Sequence, residues 1–156
     1  MDVVSNLTDG RSGQITYLSA SPFEMHHILC KMESTPKHPV FGNLTLPEKG
    51  DGPFPCVVAC HGSRGWVEHQ HTHMANWLEA GIAVFRIHSS DSRNVVSTVE
   101  SQMMVTHAMM LSDAFEALKL LNTHPLIDSN RIAISGWSLG GTAALYSAWT
   151  PVAEAL

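Results

Sequence analysis

The spacing of apolar positions changes character near Phe54. Before it, apolar residues come in short runs separated by turn formers. Residues 14–18 form a weak strand candidate, and residues 40–46 alternate apolar with small or polar side chains, as a half-exposed strand does. Pro47 closes the second run, and Lys49-Gly50-Asp51-Gly52-Pro53 is a turn by composition. This part is expected to contribute antiparallel strands at a sheet edge.

Beyond Phe54 the runs become continuous. Cys56-Val57-Val58-Ala59-Cys60 reads as a strand covered on both faces. A glycine loop follows, His61-Gly62-Ser63-Arg64-Gly65. Residues 67–80 have helical spacing, with Met74, Trp77 and Leu78 on one face and Gly81 as the stop. Residues 82–87 read as the next buried strand, and 89–101 as a polar loop. Residues 107–122 form the clearest amphipathic helix, with Leu111, Phe115, Leu118 and Leu121 as its stripe and Ala114 between, ended by Pro125. Residues 127–130 read as a turn, 131–135 as a third buried strand, and the stretch from Leu139 to Trp149 as a helix stopped near Pro151. Strands alternating with helices predict parallel pairing through right-handed crossovers.

The chain has 156 residues, 44% hydrophobic and 15% charged. That suits one domain with a real core and excludes disordered and low-complexity classes. A net charge of -5 lacks the basic face a nucleic-acid partner requires. Cys30, Cys56 and Cys60 make no disulfide framework, and the latter two read as small hydrophobes. The opening residues show no signal-peptide pattern, and no apolar run is long enough for a membrane span. The expectation is a soluble, cytoplasmic protein with no membrane partner.

Gly136-Trp137-Ser138-Leu139-Gly140 fits G-x-S-x-G between a predicted strand and a predicted helix, the setting of a nucleophile elbow. Such a turn strains the serine backbone, needs glycines where strand and helix close on each other, and lifts the hydroxyl above the sheet. Ser138 is the candidate nucleophile. An acyl-transfer serine also needs two donors for the developing oxyanion. The Leu139 N–H is one; Ser63, in the His61-Gly62 loop, is the first choice for the other, with Arg64 the second. Arg64, Trp137, Asp91 and Arg93 are weaker substrate-binding candidates, the last two because ligands bind beyond the carboxyl ends of parallel strands. His61 is expected to order its loop rather than act as a base.

In this order, the residues from Phe54-Pro55 through His61-Gly62-Ser63, Gly81-Ile82-Ala83-Val84-Phe85-Arg86-Ile87, Asp113-Ala114-Phe115-Glu116-Ala117-Leu118, Ile127-Asp128-Ser129-Asn130-Arg131-Ile132 and Gly136-Trp137-Ser138-Leu139-Gly140-Gly141 resemble the N-terminal part of an α/β-hydrolase, most closely the dienelactone hydrolase family and its esterase relatives. The resemblance spans residues 40–150. It implies an incomplete α/β-hydrolase fold, with a mostly parallel sheet, antiparallel N-terminal edge strands and flanking helices. It also implies a serine hydrolase acting on carboxylic esters or lactones without a cofactor. Two departures stand out: a serine where the namesake enzymes use cysteine, and His88 where relatives often carry an acid.

The family triad runs serine, acid, histidine along the chain. Here all ten histidines precede Ser138, and Glu154 is the only acid after it. The expectation is therefore that residues 1–156 are the N-terminal portion of a single domain, weakly active or inactive alone, with a sheet edge open to self-association. Half of a site completed by another chain, a non-catalytic binding module and a prolyl-oligopeptidase-like peptidase fragment are the alternatives. His69 and His73, one helical turn apart, suggest a third: two metal ligands. An exposed polar helix face is the plainer reading, and no metal is expected.

Overall fold

A computed structural model describes residues 2–156. Its elements are β1 (Gly13–Ala20), α1 (Met25–Cys30), β2 (Lys37–Thr45), β3 (Phe54–Cys60), α2 (Glu68–Glu79), β4 (Ala83–Ile87), α3 (His107–Leu121), β5 (Ile127–Gly136), α4 (Leu139–Ser147) and α5 (Thr150–Ala155). One five-stranded sheet has the order β1-β2-β4-β3-β5. β1 and β2 pair antiparallel, as does β2 with β4; β3 pairs parallel with both β4 and β5. The sheet is thus mixed, with the antiparallel part at the N-terminal side, as the sequence pattern predicts.

The period-two rule separates the two faces. Cys56, Val58, Cys60, Ala83, Phe85 and Ile87 point into the main core, with Leu111, Ala114 and Ala117 of α3 and Leu139 and Ala143 of α4. Ala59 and Val84 point the other way, onto Met74 of α2 and the indoles of Trp66, Trp77 and Trp137. Helices α2 and α4 therefore leave neighbouring strands toward opposite faces. Where successive helices part in this way, an open sheet has a crevice at its carboxyl ends. Here that crevice lies between the loops after β3 and β5.

Several boundaries differ from those read off the chain. Residues 25–30 form a short helix, held by the buried Ile28, where only strands and turns are predicted. The stretch 127–130 is the start of β5 rather than a turn between elements. Its pairing shifts register, from Phe54 opposite Ile127 to Cys56 opposite Ile132. The turn signal is real but local: the Asp128 carboxylate accepts from Asn130 N–H and Arg131 Nε. Residues 131–135 are not fully buried, because β5 pairs on one side only and Ala133 faces outward. Helix α4 ends at Ser147, and Pro151 sits in the first turn of α5, where its missing N–H costs nothing. On α3, Ala114, Ala117 and Leu120 are buried with Leu111 and Leu121, while Phe115 and Leu118 are only half-buried.

That rotation of α3 also buries Asp113. Its two carboxylate oxygens accept from Arg93 Nη1 at 2.7 Å and Nη2 at 3.0 Å, and the pair is almost wholly out of solvent. Arg93 also donates to Ser89 O and Ser21 Oγ. Burial opposes the guanidinium charge, but Asp113 more than offsets it and holds the Arg93 pKa above its usual value. The pair joins α3, the loop after β4 and the end of β1. Removing one partner leaves a buried charge unpaired. Asp113→Ala is therefore expected to cost about 3–5 kcal/mol in urea unfolding, with much of it regained in Arg93→Met/Asp113→Leu.

Candidate active site

The turn between β5 and α4 is built on close backbone approach. A Cβ at Gly136 would lie 2.2 Å from Gly140 O, and one at Gly140 would lie 2.3 Å from Cys60 O and 2.6 Å from His61 O. Only glycine fits at either position. Trp137 N–H also donates to Cys60 O at 3.2 Å, so the end of β5 is tied to the end of β3. Squeezed between these contacts, Ser138 has φ 51° and ψ -114°, a left-handed backbone that is strained for any residue with a side chain. Its side chain is exposed.

Ser138 opens onto a surface cleft of ≈ 700 Å³. Ser63, Arg64, Trp137 and His69 line it too, with Gln70, Val99 and Gln102. The structure thus brings together Ser138, Ser63, Arg64 and Trp137 of the sequence-derived candidates. Leu139 is buried at the first position of α4, where a helix N–H has no partner within its own helix. The positive end of the α4 dipole faces the same turn.

The His61 loop is ordered in the manner expected of it. Gly62 O accepts from His61 Nδ1 at 2.8 Å and from Gly65 N–H at 3.0 Å. His61 Nε2 accepts from Ser90 N–H at 3.3 Å, which places the ring proton on Nδ1. A trans peptide sets C=O and N–H on opposite sides. Holding Gly62 O on one side therefore aims the Ser63 N–H to the other. Burial lowers the His61 pKa, against the smaller opposing effect of its bond to Gly62 O.

Two candidates are not in the cleft. Arg93 is committed to Asp113, and its charge is satisfied inside the protein. Asp91 accepts from His88 Nδ1 at 2.6 Å and lies on the outer side of the loop. Both were placed by strand polarity alone, which fixes the end of the sheet but not the direction of a side chain. Trp137 has a double role: it lines the cleft, and its ring packs against Trp66, Trp77 and His73. His69 faces the cleft, while His71 meets Arg86 Nη1. Among the described residues, no three histidine, cysteine or acidic side chains are grouped to hold a metal ion. Among the same residues, no helix is long and apolar enough to cross a membrane. Burial pushes Cys56 up to about 12 and Cys60 higher still, so both thiols stay protonated, as the apolar run suggests. The sequence reading missed Gln70, Val99 and Gln102, whose positions follow from loop packing and carry no motif.

Comparison with known proteins matches the family model described as Acetyl xylan esterase (AXE1) to residues 19–153. Esterase EstD of Thermotoga maritima is 34% identical over 108 residues, which is 64% of this chain and 24% of that protein. The chain therefore spans about a quarter of the curated relative's length. Among solved structures, the dienelactone hydrolase-like promiscuous phosphotriesterase P91 from metagenomic libraries has a TM-score of 0.60 at 19% identity, covering 88% of this chain and 55% of that one. The 2,6-dihydroxy-pseudo-oxynicotine hydrolase has a TM-score of 0.56 at 23% identity, covering 70% and 29%. These two likenesses are of fold.

Two predictions follow from the geometry. Burial also lowers the His88 pKa, despite its bond to Asp91, so His61 and His88 are both held neutral below the ordinary 6.5. The unfolded chain then binds more protons than the folded one below pH 6.5, so stability is full above that pH and falls on acidification toward the lowered values. Urea unfolding at about pH 7.5 and about pH 5.5 is expected to show this loss, reduced in His88→Gln. Separately, Gly140→Ala is expected to destabilise the fold by more than about 2 kcal/mol in the same assay, because the clashing atoms are backbone.

Proposed function

The chain belongs to the acetyl xylan esterase family and has an α/β-hydrolase fold; from that premise we propose that it is a serine hydrolase acting on small-molecule carboxylic esters or lactones, with Ser138 as nucleophile. The observation that carries the reading is the strained backbone of Ser138, held between Gly136 and Gly140 with its side chain open to the cleft. Strain of this kind costs roughly 1–3 kcal/mol and persists only where surrounding contacts enforce it.

In the proposed reaction, Ser138 Oγ attacks the carbonyl carbon and its proton passes to a base. The carbonyl electron pair moves onto oxygen, where the N–H groups of Leu139 and Ser63 receive the charge. Collapse of the intermediate expels the alcohol, which takes up the proton, and leaves an acyl-serine for water to hydrolyse. Leu139 supports this role through the α4 N-terminus. Ser63 does so through the peptide that His61 and Gly65 hold. Arg64 and Trp137 are proposed to contact the substrate from the cleft wall. His61 is not the base: it is buried, and both ring nitrogens are occupied. In the serine, acid, histidine order of this fold the base follows the nucleophile, and all ten histidines here precede Ser138. On that order we place the base and its acid partner outside residues 1–156. Without them, roughly 10³–10⁴-fold catalysis over water remains to the oxyanion donors and binding. The family description names acetyl xylan, so an acetyl ester is the first substrate to test.

Without the base, an alkyl fluorophosphonate is expected to label the folded chain slowly, yet faster at Ser138 than at its other exposed serines, as located by peptide mass spectrometry, and to leave position 138 of Ser138→Ala unlabelled. A folded chain in which Ser138 reacts no faster than the other exposed serines would overturn the nucleophile assignment and favour a binding role.

A further inference from the structure

The loop after β4 is anchored the opposite way from an ordinary surface loop. Thr98 is only 1% exposed, while Val96, Val99, Met103 and Met104 are 91%, 55%, 62% and 65% exposed. Burial by polarity alone would reverse this arrangement. Where Arg93 ties the first part of the loop to α3, residues 97 and 98 are tied to one carbonyl, that of Ser63. Ser63 O accepts from Thr98 N–H at 2.8 Å, from Ser97 Oγ at 3.3 Å and from Thr98 Oγ1 at 3.4 Å. Gln102 Nε2 reaches Ser63 Oγ at 3.5 Å.

Ser63 therefore lies between two peptide planes that are each held by hydrogen bonds. His61 and Gly65 hold the plane before it, through Gly62 O. Ser97 and Thr98 hold the plane after it, through Ser63 O. The Ser63 N–H lies in the first of these planes, and the hold on the second pins the Ser63 Cα that the two planes share, so the first cannot shift without straining the second. Val99, next along the loop, lines the cleft beside Ser138, and its N–H donates to Ser97 Oγ at 3.3 Å.

We propose that Ser97 and Thr98 are positioning residues for the Ser63 N–H, and that Val99, on the same segment, is the wall that takes the apolar part of the ester. This rests on the reading of Ser138 as nucleophile and Ser63 as oxyanion donor. The side-chain hydroxyls keep the Ser63 peptide from tilting as charge builds on the carbonyl oxygen. A displacement of about 1 Å at such a donor can cost up to about 10²-fold in rate. The same segment selects esters with an apolar group on the Val99 side.

The test is phosphonylation of Ser138 in the 156-residue chain by short-chain and long-chain alkyl fluorophosphonates, resolved into kinact and KI. Ser97→Ala/Thr98→Val is expected to lower kinact roughly tenfold with KI little changed. Thr98→Ser, which keeps the hydroxyl, should retain the parent rate. Val99→Ser should raise KI for the long-chain probe relative to the short one. If the double variant does not fold, Ser97→Ala at its exposed position decides, with a fall in kinact expected there too. An unchanged kinact in a folded Ser97→Ala/Thr98→Val variant, or in Ser97→Ala where that is the variant tested, overturns the positioning role, and an unchanged KI ratio in Val99→Ser overturns the wall. Absence of any label at Ser138 in the parent chain instead overturns the nucleophile assignment on which both depend.

Discussion

The site depends on how closely the backbone of one turn approaches the end of a neighbouring strand. Gly140 lies against Cys60 O and His61 O at distances no side chain permits, and Trp137 N–H bonds Cys60 O from the same side. Strand β5 is thus clamped to β3 at the point where helix α4 begins. The chain has little room to turn, and Ser138 takes the strained conformation that remains. The exposed side chain of Ser138 and the start of α4 follow from this approach, which also sets the turn beside the His61 loop. It is steric, so it holds at any pH or ionic strength at which the sheet holds.

Around that clamp, polar groups are used to fix backbone rather than to titrate. His61 is buried and neutral, with one ring nitrogen on Gly62 O and the other on Ser90 N–H. Arg93 keeps its charge because Asp113 is bidentate to it, and together they lock the loop after β4 onto α3. That loop in turn reaches back to Ser63. The loops after β3 and β4 therefore support each other beside the cleft, while the indoles of Trp66, Trp77 and Trp137 back the turn from the α2 side.

Sequence pattern was most informative where burial repeats. The continuous run at Cys56–Val58–Cys60 and the period of residues 82–87 identify β3 and β4 because both are covered on two faces. It was least informative where one residue counts for much. Ile28 is the one fully buried residue of α1, and the turn chemistry of Asp128 hides a strand that shifts register through it. On α3 Phe115 and Leu118 read as part of the buried stripe but are only half-buried, and the small Ala117 is buried beside Ala114 instead, since a helix lying close on a sheet needs small residues at the contact.

What the sequence determined by itself is the alternation of buried strands and helices from Phe54 to α4 and the glycine-bounded turn at Ser138, because glycine spacing and hydrophobic period are local properties of the chain. Tertiary structure alone decided which polar residues are spent inside the protein. Arg93 and Asp91 sit at the correct end of the sheet for a ligand, but Arg93 meets Asp113 and Asp91 meets His88. Equally, only packing brings Thr98, Val99 and Gln102 to Ser63 and the cleft. The physical reason is distance along the chain: a side chain's direction depends on partners tens of residues away, which no local spacing records.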